Sequence, residues 1–111
     1  MKQKIVTLTI KDKTWVFKLL NSSSYLKKHG DDSDAITMPT EKEVHFDKAS
    51  LTIGVILHEL MHVYVDESNT ESARLTPDQV EELACTIVQE HYIDIIKYAH
   101  TIMDKFTKQE E

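Results

Sequence analysis

The chain has 111 residues, a hydrophobic fraction of 41% and a formal charge of −6, which suits one domain with a modest core and excludes a two-lobed enzyme. An acidic balance offers no basic surface for nucleic acid, and no apolar stretch approaches the ~20 residues that span a bilayer. The single Cys85 excludes an internal disulfide and a cysteine zinc cluster and fits a reducing compartment, so the expectation is a cytoplasmic protein with neither a nucleic-acid nor a membrane partner.

The amino terminus, MKQKIVTLTI, alternates threonine with apolar residues and lacks the continuous apolar core of a signal peptide. KIVTLTI and TWVFKLL flank KDK with strand-like composition, the pattern of a hairpin. In NSSSYLKKHG the asparagine or a following serine can cap a short helix that Gly30 ends. After the polar DDSD run, AITM and EVHF, separated by PTEK, predict a second short hairpin or a strand with a turn before it. Residues 1–46 are therefore mainly strands with one short helix. Asp47 or Ser50 can cap the next helix, over residues 50–65, and DESNTESAR follows as a loop.

The last helix has the strongest start signal. In LTPDQV, Thr76 is a natural N-cap, Pro77 takes the first helical position and Gln79 the third position of a capping box, with Leu75 and Val80 as a hydrophobic staple. Val80, Leu83, Ala84, Ile87, Val88, Ile95, Ala99, Ile102 and Phe106 then recur at three- and four-residue spacing, predicting one amphipathic helix over 77–107. At about 1.5 Å per residue it exceeds the width of so small a domain, which predicts packing of its end on a partner, a second copy included.

The helix over 50–65 carries VILHELMHVYV, in which His58, Glu59 and His62 interrupt an apolar run. Burying such groups is costly unless each finds a partner, and a metal ion would serve. Residues four apart share a helix face, so the two imidazoles can hold one Zn²⁺, while Glu59, about 100° around the helix, stands beside the ion where it can take a proton from the water zinc activates. The five-residue pattern alone recurs by chance; its place in an apolar helix adds weight. The alternative is a pair of core histidines bonded to backbone or to Glu59.

Catalytic zinc takes three protein ligands. Positions three and six after His62 are Val65 and Ser68, which excludes an HxxGxxH arrangement. The candidates are Asp66, Glu67, Glu71, Asp78, Glu81, Glu82 and His91. Glu81 is preferred to Glu82 because its helical neighbours Ala84 and Val88 belong to the apolar face and Ala84 is small enough for close helix approach. His91 lies about 15 Å beyond Glu81 along the helix and reads as structural. His45, on the strand EVHF, is a candidate for touching substrate or water. Cys85, Tyr64, Tyr92 and Trp15 read as packing groups, and His29 and His100 as surface histidines. Gly54, four residues before His58, either leaves room for close approach or is a tolerated weakness in the helix.

HELMH followed by EELACTI resembles the glutamate-ligand zincins, and more closely the small phage and mobile-element metallopeptidases and the ImmA/IrrE family. VDES after the second histidine is similar to a motif of many small phage members. The resemblance covers about residues 43–90. It implies an α+β, minimal zincin-like fold: a small mixed or antiparallel sheet packed on the HExxH helix and a long C-terminal helix, with His58, His62 and Glu81 on zinc. It also implies that EVHF is the edge strand along which a peptide lies. One departure is that Cys85 stands four residues after Glu81, where larger thermolysin-like enzymes carry an aspartate. The expected function is zinc-dependent hydrolysis of a peptide bond in a protein substrate; the alternative is a non-catalytic, zinc-stabilised interaction domain, which would have no use for Glu59 as a base.

Overall fold

The computed structural model describes residues 4–30, 33–68 and 76–108. The chain opens with a hairpin: β1 (Lys4–Ile10) pairs antiparallel with β2 (Lys13–Leu20). Lys11 and Asp12 form its two-residue turn, both with positive φ, 50° and 70°, as a type I′ connection that follows the strand twist requires. Helix α1 (Ser22–His29) starts on Asn21, whose side chain accepts from Ser24 N, and stops at Gly30, with φ 71°; only a residue without Cβ enters that region at no steric cost. The short strands β3 (Ala35–Met38) and β4 (Glu43–Asp47) follow, then α2 (Ile53–Ser68) and α3 (Pro77–Thr107).

The sheet is mixed, in the order β1-β2-β4-β3. β4 runs parallel to β2, and β3 is antiparallel to β4. This corrects the expectation for EVHF: β4 is an interior strand and β3 is the edge. The reason lies in α1, which separates β2 from β3 in the chain and lets the second hairpin dock through its later strand. Val44, His45 and Phe46 are all buried, as befits a strand with neighbours on both sides and cover on both faces.

One cross-strand row runs Val6, Phe17, Val44, Thr37. Val6, Phe17 and Val44 join the core made with Ile56, Leu60 and Val63 of α2 and Ile95, Ala99 and Ile102 of α3. The row ends at the edge in a hydroxyl, which faces α2. Strand alternation puts Lys18, Glu43 and His45 on the opposite face, the side on which α1 packs against β4. α3 crosses the whole molecule, whose longest dimension is 43 Å. Phe106 meets Phe46 with ring centroids 5.8 Å apart, and Lys4 Nζ donates to the carbonyls of Phe106 and Lys108 at 3.0 and 2.9 Å, satisfying acceptors that every helix leaves free at its end. Among the described residues no helix is long and apolar enough to cross a membrane.

Candidate metal centre

α2 begins three residues later than the sequence predicts. Asp47 caps a 3-10 turn over Lys48–Ser50, and Thr52 Oγ1 then accepts from Val55 N at 3.1 Å. The apolar residues Ile56, Leu60 and Val63 turn into the core. That fixes His58 and His62 on the exposed side, where α2 meets β3.

His58 and His62 approach edge to face, with ring centroids 4.8 Å apart and Nε2 atoms 3.2 Å apart. A tetrahedral zinc with bonds of about 2.0–2.1 Å needs two nitrogens about 3.3–3.4 Å apart, so the pair stands close to the spacing the ion demands. Two neutral imidazoles also suit zinc chemically, and the donor set fits the group. Glu59 completes a cluster whose ligand atoms all lie within 4.8 Å. The residue is only 6% exposed, and its Oε1 accepts from Thr37 Oγ1 at 2.5 Å. One carboxylate oxygen is thus held by the edge strand, which fixes the other relative to the histidines.

A cleft surrounds the cluster. One lobe, of about 500 Å³, is walled by Ile36, Thr37, Pro39, Val65 and Asp66. The other, of about 480 Å³, reaches Asp34, Thr52, Gly54 and Val55, and both share His58 and Glu59. A Cβ on Gly54 would meet only Thr52 Oγ1, at 3.8 Å. The glycine is not forced by packing; it leaves the second lobe unobstructed.

The expected third ligand does not join this cluster. Glu81 and Glu82 are exposed in the second turn of α3, and Asp78 is exposed in the first. The rings of Tyr64 and His91 touch, 5.2 Å apart, which marks where α2 and α3 pack; Glu81 lies ten residues earlier, about 15 Å along the axis. Asp66 lines the cleft but has Lys42 Nζ at 3.6 Å. Glu67 is engaged elsewhere, accepting from Trp15 Nε1 and Lys42 Nζ, each at 2.7 Å. Glu71, and Leu75 of the expected staple, lie outside the described residues.

Several histidine and packing expectations are corrected. His45 does not approach the cleft: it is buried on the far face, between His29 Nε2 at 2.9 Å and Glu43 Oε1 at 2.8 Å. His29 is accordingly half-buried rather than a surface group. Burial pushes the His45 pKa down, against the opposing bond to Glu43, while His45 and then Lys18 hold the Glu43 carboxyl below its ordinary value. Cys85 is exposed rather than packed, as is Tyr92. Thr37 is the residue that sequence reasoning missed; its only signal is a hydroxyl at a core-facing position of a short strand. Comparison with protein-family models, curated proteins and solved structures finds no match, so the reading of this centre rests on its own geometry.

Proposed function

We propose that the protein is a cytoplasmic zinc metallopeptidase that hydrolyses a peptide bond in a protein substrate, of the phage or mobile-element kind that its HELMH and EELACTI segments resemble. The observation that carries the reading is the pair of Nε2 atoms 3.2 Å apart beside a buried carboxylate tethered by Thr37. His58 and His62, with their Nε2 atoms 3.2 Å apart, would hold the ion. Zinc bound there would supply Lewis acidity, which brings the pKa of water towards ~7. Glu59 acts as general base: its anchored oxygen stays on Thr37 and the other accepts the proton of the attacking water, then returns it to the leaving amine. The cleft lobes on either side of Glu59 receive the chain flanking the scissile bond.

The test pairs metal analysis of untagged protein with the Glu59→Gln variant. One zinc per chain is expected in both proteins, with similar melting temperatures, and hydrolysis of any peptide the native protein cleaves should fall by ~10² or more in the variant. Undiminished turnover in the variant would refute the mechanism. Zinc that stabilises the fold of a chain cleaving nothing, alone or with protein partners, would favour the interaction domain instead.

A further inference from the structure

A second apolar face runs along α3 beside the packed one. At about 3.6 residues per turn, Ile87, Ile95, Ala99, Ile102 and Phe106 point into the body within an arc of about 120°. Cys85, Val88, Gln89, Tyr92, Ile93 and Ile96 fill an adjoining arc of about 140°, and each is exposed. Val88, Tyr92, Ile93 and Ile96 leave between 45% and 54% of their surface to water. The remaining side carries Glu90, Asp94, Lys97 and Asp104. A helix that served only the core would be polar on both flanks, so the one-sided apolar excess marks a second contact surface. Tyr64 of α2 meets His91 on roughly the opposite side of α3, which leaves the metal cleft clear of this surface.

The order of residues along the face says what covers it. Cys85, Gln89, Tyr92 and Ile96 follow one another at spacings of four, three and four, the seam along which two helices coil. The seam is acidic before it, at Asp78, Glu81 and Glu82, and basic after it, at Lys97 and His100. Beyond His100 it runs into an open hollow lined by Lys48, Leu51, Met103 and Lys108. A second copy laid antiparallel, about a two-fold axis between Glu90 and His91, matches both features. Cys85 then faces the partner's Ile96 and Gln89 the partner's Tyr92. Glu82 stands beside the partner's His100, and Asp78 enters the partner's lysine-lined hollow. An apolar recess of about 340 Å³ among Ala84, Cys85, Val88 and Gln89 receives the partner's Ile96. A parallel pair would instead lay Glu81 and Glu82 against their own copies, which is repulsive.

We propose that the chain forms an antiparallel dimer through this face of α3. From Asp78 to Met103 the seam is about 37 Å long, and an arc of about 140° on a helix about 12 Å across covers on the order of 550 Å² per partner. That is about 1,100 Å² in all, just past the roughly 1,000 Å² that a specific interface needs and short of the standard ~1,600 Å². The dimer is therefore reversible, exchanging with monomer at micromolar concentrations. It stands apart from the zinc reading and does not depend on it.

Sedimentation velocity of the full chain, reduced and with a chelator present, should show monomer passing to dimer between about 1 and 300 μM. Tyr92→Glu and Ile96→Glu change side chains that are exposed in the single chain. Each should weaken the dimer by about tenfold or more without altering the melting temperature of the monomer. Glu90→Ala, on the polar side, should leave association as it is. Glu82→Lys should weaken it, and His100→Glu in the same chain should restore it. Register is read by oxidation with diamide. Ile96→Cys, which retains Cys85, should give a disulfide-linked dimer, whereas the native protein and Ile96→Cys/Cys85→Ser should not, because like positions lie about 16 Å apart along the axis. A chain that stays monomeric to about 300 μM, or a dimer indifferent to both Tyr92→Glu and Ile96→Glu, overturns the proposal. Cross-linking of the native protein through Cys85 as readily as of Ile96→Cys overturns the antiparallel order.

Discussion

His45 shows how a single side chain acquires a role that its neighbours in sequence do not suggest. Its Nε2–H donates to the Glu43 carboxylate, which leaves Nδ1 bare to accept from His29 Nε2–H. A second proton on this pair would put two cations within 2.9 Å of each other beneath α1. Burial already depresses the His45 pKa from its ordinary 6.5, and the bond from His45 depresses that of Glu43 from 4.5. Both shifts have the same sign. The unfolded chain takes up these protons at higher pH than the folded one, so stability is fully present above about 6.5. It falls as pH drops towards the folded pKa of His45, and Glu43 extends the loss below about 4.5. Melting temperature measured from pH 7.5 to 5 with a chelator present, to remove zinc linkage at His58 and His62, should decline in the native protein and decline less in His45→Gln. A flat native profile would contradict the linkage. Thr37 teaches the converse lesson at the other face. HExxH identifies Glu59 from sequence because the signal lies within one helical turn, whereas the hydroxyl that anchors it comes from a strand 22 residues away, and nothing local marks it.

Elements were legible where their signals are local. The capping box of α3 and the asparagine and glycine that bound α1 are written within a few residues, and they appear as read. The order of strands was not, because a short hairpin can dock through either strand and the choice depends on the path of α1. The apolar face of α3 was misread in part for a related reason: the three- and four-residue spacing extends over Val80 and Val88, and Tyr92 reads as a packing group, but burial depends on what the body supplies opposite, and these stay exposed. The contact that fixes α2 against the sheet was equally invisible. Glu67, in the last turn of α2, accepts from the indole N–H of buried Trp15 on β2 and from Lys42 in the β3–β4 turn, and the Lys42 ammonium also lies 5.0 Å from the Trp15 ring. One carboxylate therefore ties three elements together at the end of the cleft. Glu67→Ala should cost about 1–3 kcal/mol in chemical denaturation, because it strands a buried donor, while Glu67→Gln, which still offers the indole an acceptor, should cost less. An alanine variant within about 0.5 kcal/mol of the native protein, the usual range for surface changes, would show that the pin is idle.

At the scale of the molecule, what limits the proposed peptidase is the shape of its cleft. α2 forms one wall and the edge strand β3 the other, and among the described residues no further element faces them across the opening. Tight, selective binding of a flexible chain needs most of its surface enclosed, so that contacts made in the transition state offset the entropy of ordering it. Two shallow lobes with one strand edge between them provide too few such contacts for a generic unfolded polypeptide. A folded protein that presents its scissile loop already shaped loses less entropy on binding and can supply the missing wall from its own surface. The zinc-loaded chain is therefore expected to digest casein slowly or undetectably, and to cut a particular protein partner at one or a few sites. Fast, unselective digestion of casein by the isolated monomer would mean that the chain already encloses its substrate, and the dependence on a docking partner would have to be abandoned.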